Sequence, residues 1–145
     1  MKKLIIILSI VLSITSCKKK EEAQSNAPSI EFISISPTSA AAYEDDVTIT
    51  INYRDNDGDL GENDADVKNC FVTDSRNGVT YEFRIQQLAP DNSSITIDGN
   101  LDIRLDGLGL SDGATSESVT FDVYVIDRAM NQSNTITTTA ITVSE

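Results

Sequence analysis

Six carboxylates crowd into the twelve residues Asp55-Asn56-Asp57-Gly58-Asp59-Leu60-Gly61-Glu62-Asn63-Asp64-Ala65-Asp66, and no basic residue stands among them. Like charges at that density repel one another unless they separate into water or converge on a cation. Calcium suits such donors, because it accepts about six to eight hard oxygen ligands in flexible geometry, whereas magnesium demands a strict octahedron. Alternate acids let the side chains of Asp55, Asp57 and Asp59 turn inward together, and Gly58 and Gly61 permit the tight curvature this needs.

Other chemistries find no residues to run on. Histidine is absent, so neither a Ser-His or Cys-His nucleophile nor a histidine metal site can form. Cys70 lies between Asn69 and Phe71 in an alternating stretch, the place of a buried structural thiol. Paired carboxylates can hydrolyse a glycosidic bond, but that chemistry requires one acid with a raised pKa in an apolar cleft, and this cluster reads as a polar loop. The expectation is a protein that is not an enzyme.

The elements that must position the acids are strands. From Ser29 onward the apolar residues recur at period two between closely spaced turn residues, with no long stretch at helical period. The pattern predicts strands over 30–36, ending at Pro37, and over 47–53, with Val47, Ile49, Ile51 and Tyr53 on one face. Strands over 67–73 and 79–88 flank Asn77-Gly78, which supplies the positive φ of a tight hairpin. Residues 94–105 read either as one bulged strand or as a short strand and a longer one, because Asp98-Gly99-Asn100 interrupts them. A loop over 106–116 leads to a strand carrying Val119, Phe121, Val123 and Val125 inward, and a turn at 128–131 leads to a last strand over 134–143. Seven strands at this spacing predict an all-β, immunoglobulin-like β-sandwich over residues 29–145, with a small closed barrel and another sandwich topology as competing arrangements.

Two fragments carry resemblances. The acidic run is not an EF-hand, since Leu60 stands where that loop needs glycine, Asp66 replaces the final glutamate and no helices flank it. It is similar to a single thrombospondin type 3 calcium repeat. More closely it resembles the DxDGDxG stretch that follows an early strand in small Bacteroidota lipoproteins and in cell-surface Ig-like, cadherin-like domains, which implies a metal-binding sandwich. Asp127-Arg128-Ala129-Met130-Asn131-Gln132-Ser133 resembles the D-x-A-G-N-x-S turn before the last strand of bacterial Ig-like domains, with Met130 in place of glycine. In such a sandwich these two loops share one end, close to the start of the first strand. The expected calcium ligands are therefore Asp55, Asp57, Asp59 and Asp127, completed by Glu62 or Asp64. The competing reading is a solvated loop in which Asp127 caps its own turn through an Asx-type bond.

The N-terminus addresses this domain to a membrane. Met1-Lys2-Lys3, the apolar run Leu4–Leu12 and the small residues that follow read as a signal peptide over 1–16, too short to span a bilayer. Ile14-Thr15-Ser16-Cys17 resembles the lipobox of bacterial lipoproteins, which implies that Cys17 receives the lipid and begins the mature chain. Residues 17–28 read as a flexible tether, and the basic then acidic run 18–22 resembles the export signal of Bacteroidota surface lipoproteins. The implied location is the outer membrane, on the cell surface in preference to the periplasmic face. Once Cys17 is lipidated Cys70 has no disulfide partner. The chain carries a net charge of −12, which repels nucleic acid and attracts cations. Two partner classes remain: a structural or adhesive module meeting a surface protein, or a glycan-binding accessory of an uptake system. Clustering of Tyr43, Tyr81 and Tyr124 on one exposed face would favour the glycan.

Overall fold

A computed structural model describes residues 25–145 of the chain, so the expected signal peptide, Cys17 and the first part of the expected tether lie outside the described residues. The described chain is all-β. Its strands are β1 (Ser29–Ser36), β2 (Ser39–Ala41), β3 (Val47–Asp55), β4 (Cys70–Asp74), β5 (Thr80–Phe83), β6 (Ile97–Leu105), β7 (Ser116–Val119), β8 (Phe121–Val125), β9 (Ile136–Thr137) and β10 (Ile141–Ser144). They form three sheets in the orders β1-β3-β6, β2-β10-β7 and β5-β4-β8-β9. Pairing is antiparallel throughout, except that β2 runs parallel to β10.

Ten strands stand where seven were expected, because the last two expected strands are each cut in two where they change partners and the short β2 adds one more. β7 pairs with β10, whereas β8 pairs with β4 and β9, and only Thr120 separates them. At the break the Phe121 N–H donates to the hydroxyl of Thr138 instead of to a backbone carbonyl. The inward phase nevertheless continues across it, and Val119, Phe121, Val123 and Val125 are all buried.

Of residues 94–105, Ile97–Leu105 form the single strand β6, which pairs with β3 without a register shift, and 94–96 lie outside it. The bulge lies instead in β1, between Phe32 and Ser34. One extra residue reverses the alternation there, which leaves Ile33 51% exposed and turns Ile35 into the core. The hairpin β4–β5 forms as the Asn-Gly pair predicts, with Gly78 at φ 72°, but β5 stops at Phe83. Beyond it Asn69 takes over the role of a ladder. Its amide accepts from the Ile85 N–H at 2.6 Å and donates to the Ile85 carbonyl at 3.3 Å, and the same carbonyl accepts the Glu62 N–H of the acidic loop at 2.9 Å.

One buried cluster joins the sheets. Ile30, Ile49, Ile51, Ile103 and Leu105 from β1, β3 and β6 meet Val72, Phe121, Val123, Val125, Ile141 and Val143 from the others. Burial of such side chains contributes roughly 1.5–3 kcal/mol each before chain entropy is subtracted.

Candidate metal centre

β3 delivers the first acid into the interior. Its inward residues are Val47, Ile49 and Ile51, and the same period carries on through Tyr53 to Asp55, which is fully buried. The strand runs two residues further than its sequence suggests, which is why an acid ends on the core side. The chain then turns sharply. Gly58 and Gly61 sit at φ 76° and 93°, and a side chain at either would strike the carbonyl oxygen of Ile95 or Gln86 in the segment lying over the loop. Leu60, the residue that breaks the EF-hand pattern, is fully buried and pins the loop to the core. Its N–H donates to Asp55 Oδ2 at 2.8 Å.

This folding brings Asp55, Asp57 and Asp59 together, with one carboxylate oxygen from each lying within 4.8 Å of the others. Oxygens so spaced can all reach one ion at calcium's bond length of about 2.3–2.6 Å. Asp55 Oδ1, Asn56 Oδ1, Asp57 Oδ1 and Asp59 Oδ1 are buried and accept no hydrogen bond, and among the described residues these four are the only such side-chain atoms. An unpaired buried acceptor ordinarily costs about 1–3 kcal/mol, and more if charged. Four in one loop is the arrangement expected of a site organised around a cation, and the donors, three carboxylates and an amide oxygen, are of the hard type calcium prefers. The group could therefore hold a metal ion.

Electrostatics agree with the geometry. Burial, reinforced by the neighbouring Asp57 carboxylate, raises the pKa of Asp55 above its ordinary value against the N–H of Leu60. Asp59 is raised first by burial and then by repulsion from Asp127 and Asp55. Ionisation of both acids is thus disfavoured by burial and like charge, a penalty that a cation would relieve.

The two distant segments do meet. The Arg128 N–H donates to the Asp59 carbonyl at 3.2 Å, the Ala129 N–H donates to Asp59 Oδ2 at 3.1 Å, and the Arg128 guanidinium donates to the Gly61 carbonyl at 2.8 Å. Met130 holds the turn at φ 68°, the conformation the usual glycine would supply. Three expected ligands stand apart from the cluster. Asp127 accepts the Asn131 N–H and side-chain amide on its two oxygens, the Asx-type turn of the competing reading, although its charge still reaches Asp59. Glu62 accepts the N–H groups of Asn63 and Asp64, and Asp64 accepts that of Asp66, so both shape the loop's far half. Asn56 was not foreseen, because an amide among aspartates attracts no attention in a count of charges.

Comparison with known proteins gives no match to a family model, a curated protein or a solved structure.

Proposed function

We propose that the chain is a lipid-anchored protein of the outer membrane presenting an immunoglobulin-like sandwich that binds one calcium ion, in a structural or adhesive role. Three aspartates whose oxygens converge, in a loop that leaves four buried oxygens without a partner, carry the metal part of this reading. The Ig-like part is supported by β1-β3-β6 packing across a shared core from β5-β4-β8, and by the parallel pairing of β2 with β10. The tyrosines speak for a structural role over glycan binding. Tyr43 lies over Gly107 and Gly109, Tyr81 pairs with inward-facing Val72, and Tyr124 stacks on Phe71 on the outer sheet face at 4.9 Å, so the three form no common platform.

Calorimetric titration of the mature chain from residue 17, with Cys17→Ser, tests the metal. Heat of binding is expected with calcium and a weaker response with magnesium. At a hundredfold excess over Kd the ion stabilises the fold by about 2.7 kcal/mol, a rise in Tm on the order of 10 °C. Absence of both heat and Tm shift at millimolar calcium overturns the reading. The anchor is tested separately: the natural chain, expressed in a bacterial host fed an alkyne fatty acid, should carry the label, and Cys17→Ser should lose it.

A further inference from the structure

Asn56 touches more than the acidic cluster. It stands between Asp55 and Asp57, so the site fixes its backbone from both sides, and its carbonyl accepts the Thr96 hydroxyl at 3.3 Å. Its Nδ2 donates at 2.9 Å to the backbone carbonyl of Ser25, the first described residue of the tether. Among the described residues this is the one hydrogen bond that ties 25–27 to the body of the domain. Because a carbonyl can only accept, Nδ2 must face Ser25, which leaves Oδ1 as the buried, unpartnered atom. Pairing of Ser29 with Arg54 places the tether's exit and the acidic loop at the same end of the molecule.

Resting on the cation-site reading above, we propose that the bound cation clamps the tether to the domain through Asn56, so that occupancy decides whether residues 25–27 move with the domain or independently of it. Without the ion, mutual repulsion among Asp55, Asp57 and Asp59 loosens the loop that presents Asn56, and the single bond to Ser25 opens with it. With the ion, the loop is held by oxygen ligands on both sides of Asn56, and its amide is presented to Ser25 in a fixed position. The coupling is mechanical: a cation bound at the anchored end stiffens the joint on which the domain turns.

Backbone 15N relaxation on the mature Cys17→Ser chain, run on the samples used for calorimetry, tests this. Order parameters of Ser25, Asn26 and Ala27 are expected to rise from below about 0.6 without calcium towards about 0.85 at saturation. Asn56→Asp keeps an oxygen for the ion but replaces the donor facing Ser25 with an acceptor. It should bind calcium and leave 25–27 mobile. Should the added charge disturb the fold, Asn56→Ala removes the donor together with one site oxygen; it should bind calcium more weakly and, at calcium concentrations that saturate it by its own titration, still leave 25–27 mobile. Calcium binding to the parent chain with unchanged order at 25–27 overturns the clamp but spares the site, as does wild-type ordering in a calcium-loaded Asn56 variant. No calorimetric binding by the parent chain overturns both.

Discussion

Asp55 is an acid at a core position, fully buried, with one oxygen satisfied by Leu60 and the other orphaned. In the cation-free protein such a group destabilises the fold it belongs to. Its folded pKa lies above the ordinary 3.8, as does that of Asp59, so the folded chain binds protons more tightly than the unfolded chain. Cation-free stability should therefore fall as pH rises from 3.8 through the raised values, and the penalty should vanish below 3.8, where both states are protonated. Calcium bound at the proposed site should reverse this sense, because it would bind the ionised form. Asp55→Asn retains an acceptor for Leu60 and removes the charge. In chelator it should match or exceed the parent Tm near neutral pH and lose part of the pH dependence, while abolishing the calcium-induced rise. Thermal melts at several pH values, with chelator and with calcium, check this. A large loss of cation-free stability in Asp55→Asn would show that the carboxylate serves the fold and not an ion.

At the scale of elements, loops are fastened by side chains that stand in for missing ladder bonds. Asn134 does for Ile30 of β1 what Asn69 does for Ile85, accepting the Ile30 N–H at 2.9 Å and donating to the Ile30 carbonyl at 2.8 Å across 104 residues of sequence. At the opposite end from the acidic loop, Arg76 ties the β4–β5 hairpin to β7 and to the segment before it. It pairs with fully buried Asp74 at 2.6 Å and with Glu117 at 3.0 Å, and donates to the Gly109 carbonyl at 2.9 Å. Removing one member of a buried pair strands the other, at a cost of about 3–5 kcal/mol. Arg76→Ala should lose stability in that range by denaturant unfolding, and Arg76→Lys should lose less, since it keeps the charge but not the fork. Equal stability of Arg76→Ala and parent would mean that Asp74 finds water there. Hydrogen bonds from Ser111, together with Arg76, hold Glu117 below its ordinary 4.5. That contribution is present above pH 4.5 and lost as pH falls through the lowered value, opposite in sense to the acids of the loop. It is small, because Glu117 is solvent-screened.

The whole molecule can be read through one thiol. Cys70 is buried between the sheets, and desolvation pushes its pKa up to about 12, so almost no thiolate exists near neutrality. In the Cys17→Ser chain, an alkylating reagent at pH 8 should leave Cys70 unlabelled until the domain opens, and calcium should slow labelling in proportion to the stability it adds. Stoichiometric labelling of the native protein within minutes would contradict a closed core at this position.

The all-β class, the inward phase of β3 and β8, the hairpin at Asn77-Gly78 and the concentration of negative charge were legible in the chain itself. Side-chain period and turn chemistry are local properties, written in neighbouring residues. Partner choice is not local. Whether the Phe121 N–H meets a backbone carbonyl or the Thr138 hydroxyl, where β1 takes its bulge, and which of Asp57, Asp127, Glu62 and Asp64 faces the cluster all depend on segments far apart in sequence. Asp127 shows the difference plainly: its loop arrives where the strand order places it, yet Asn131, four residues away, occupies both its oxygens. Asn56 shows the converse, an uncharged side chain whose partner, the Ser25 carbonyl, lies 31 residues earlier. Composition foretold an acidic loop suited to a cation; only the packing of distant backbone around it selected the oxygens left without a partner.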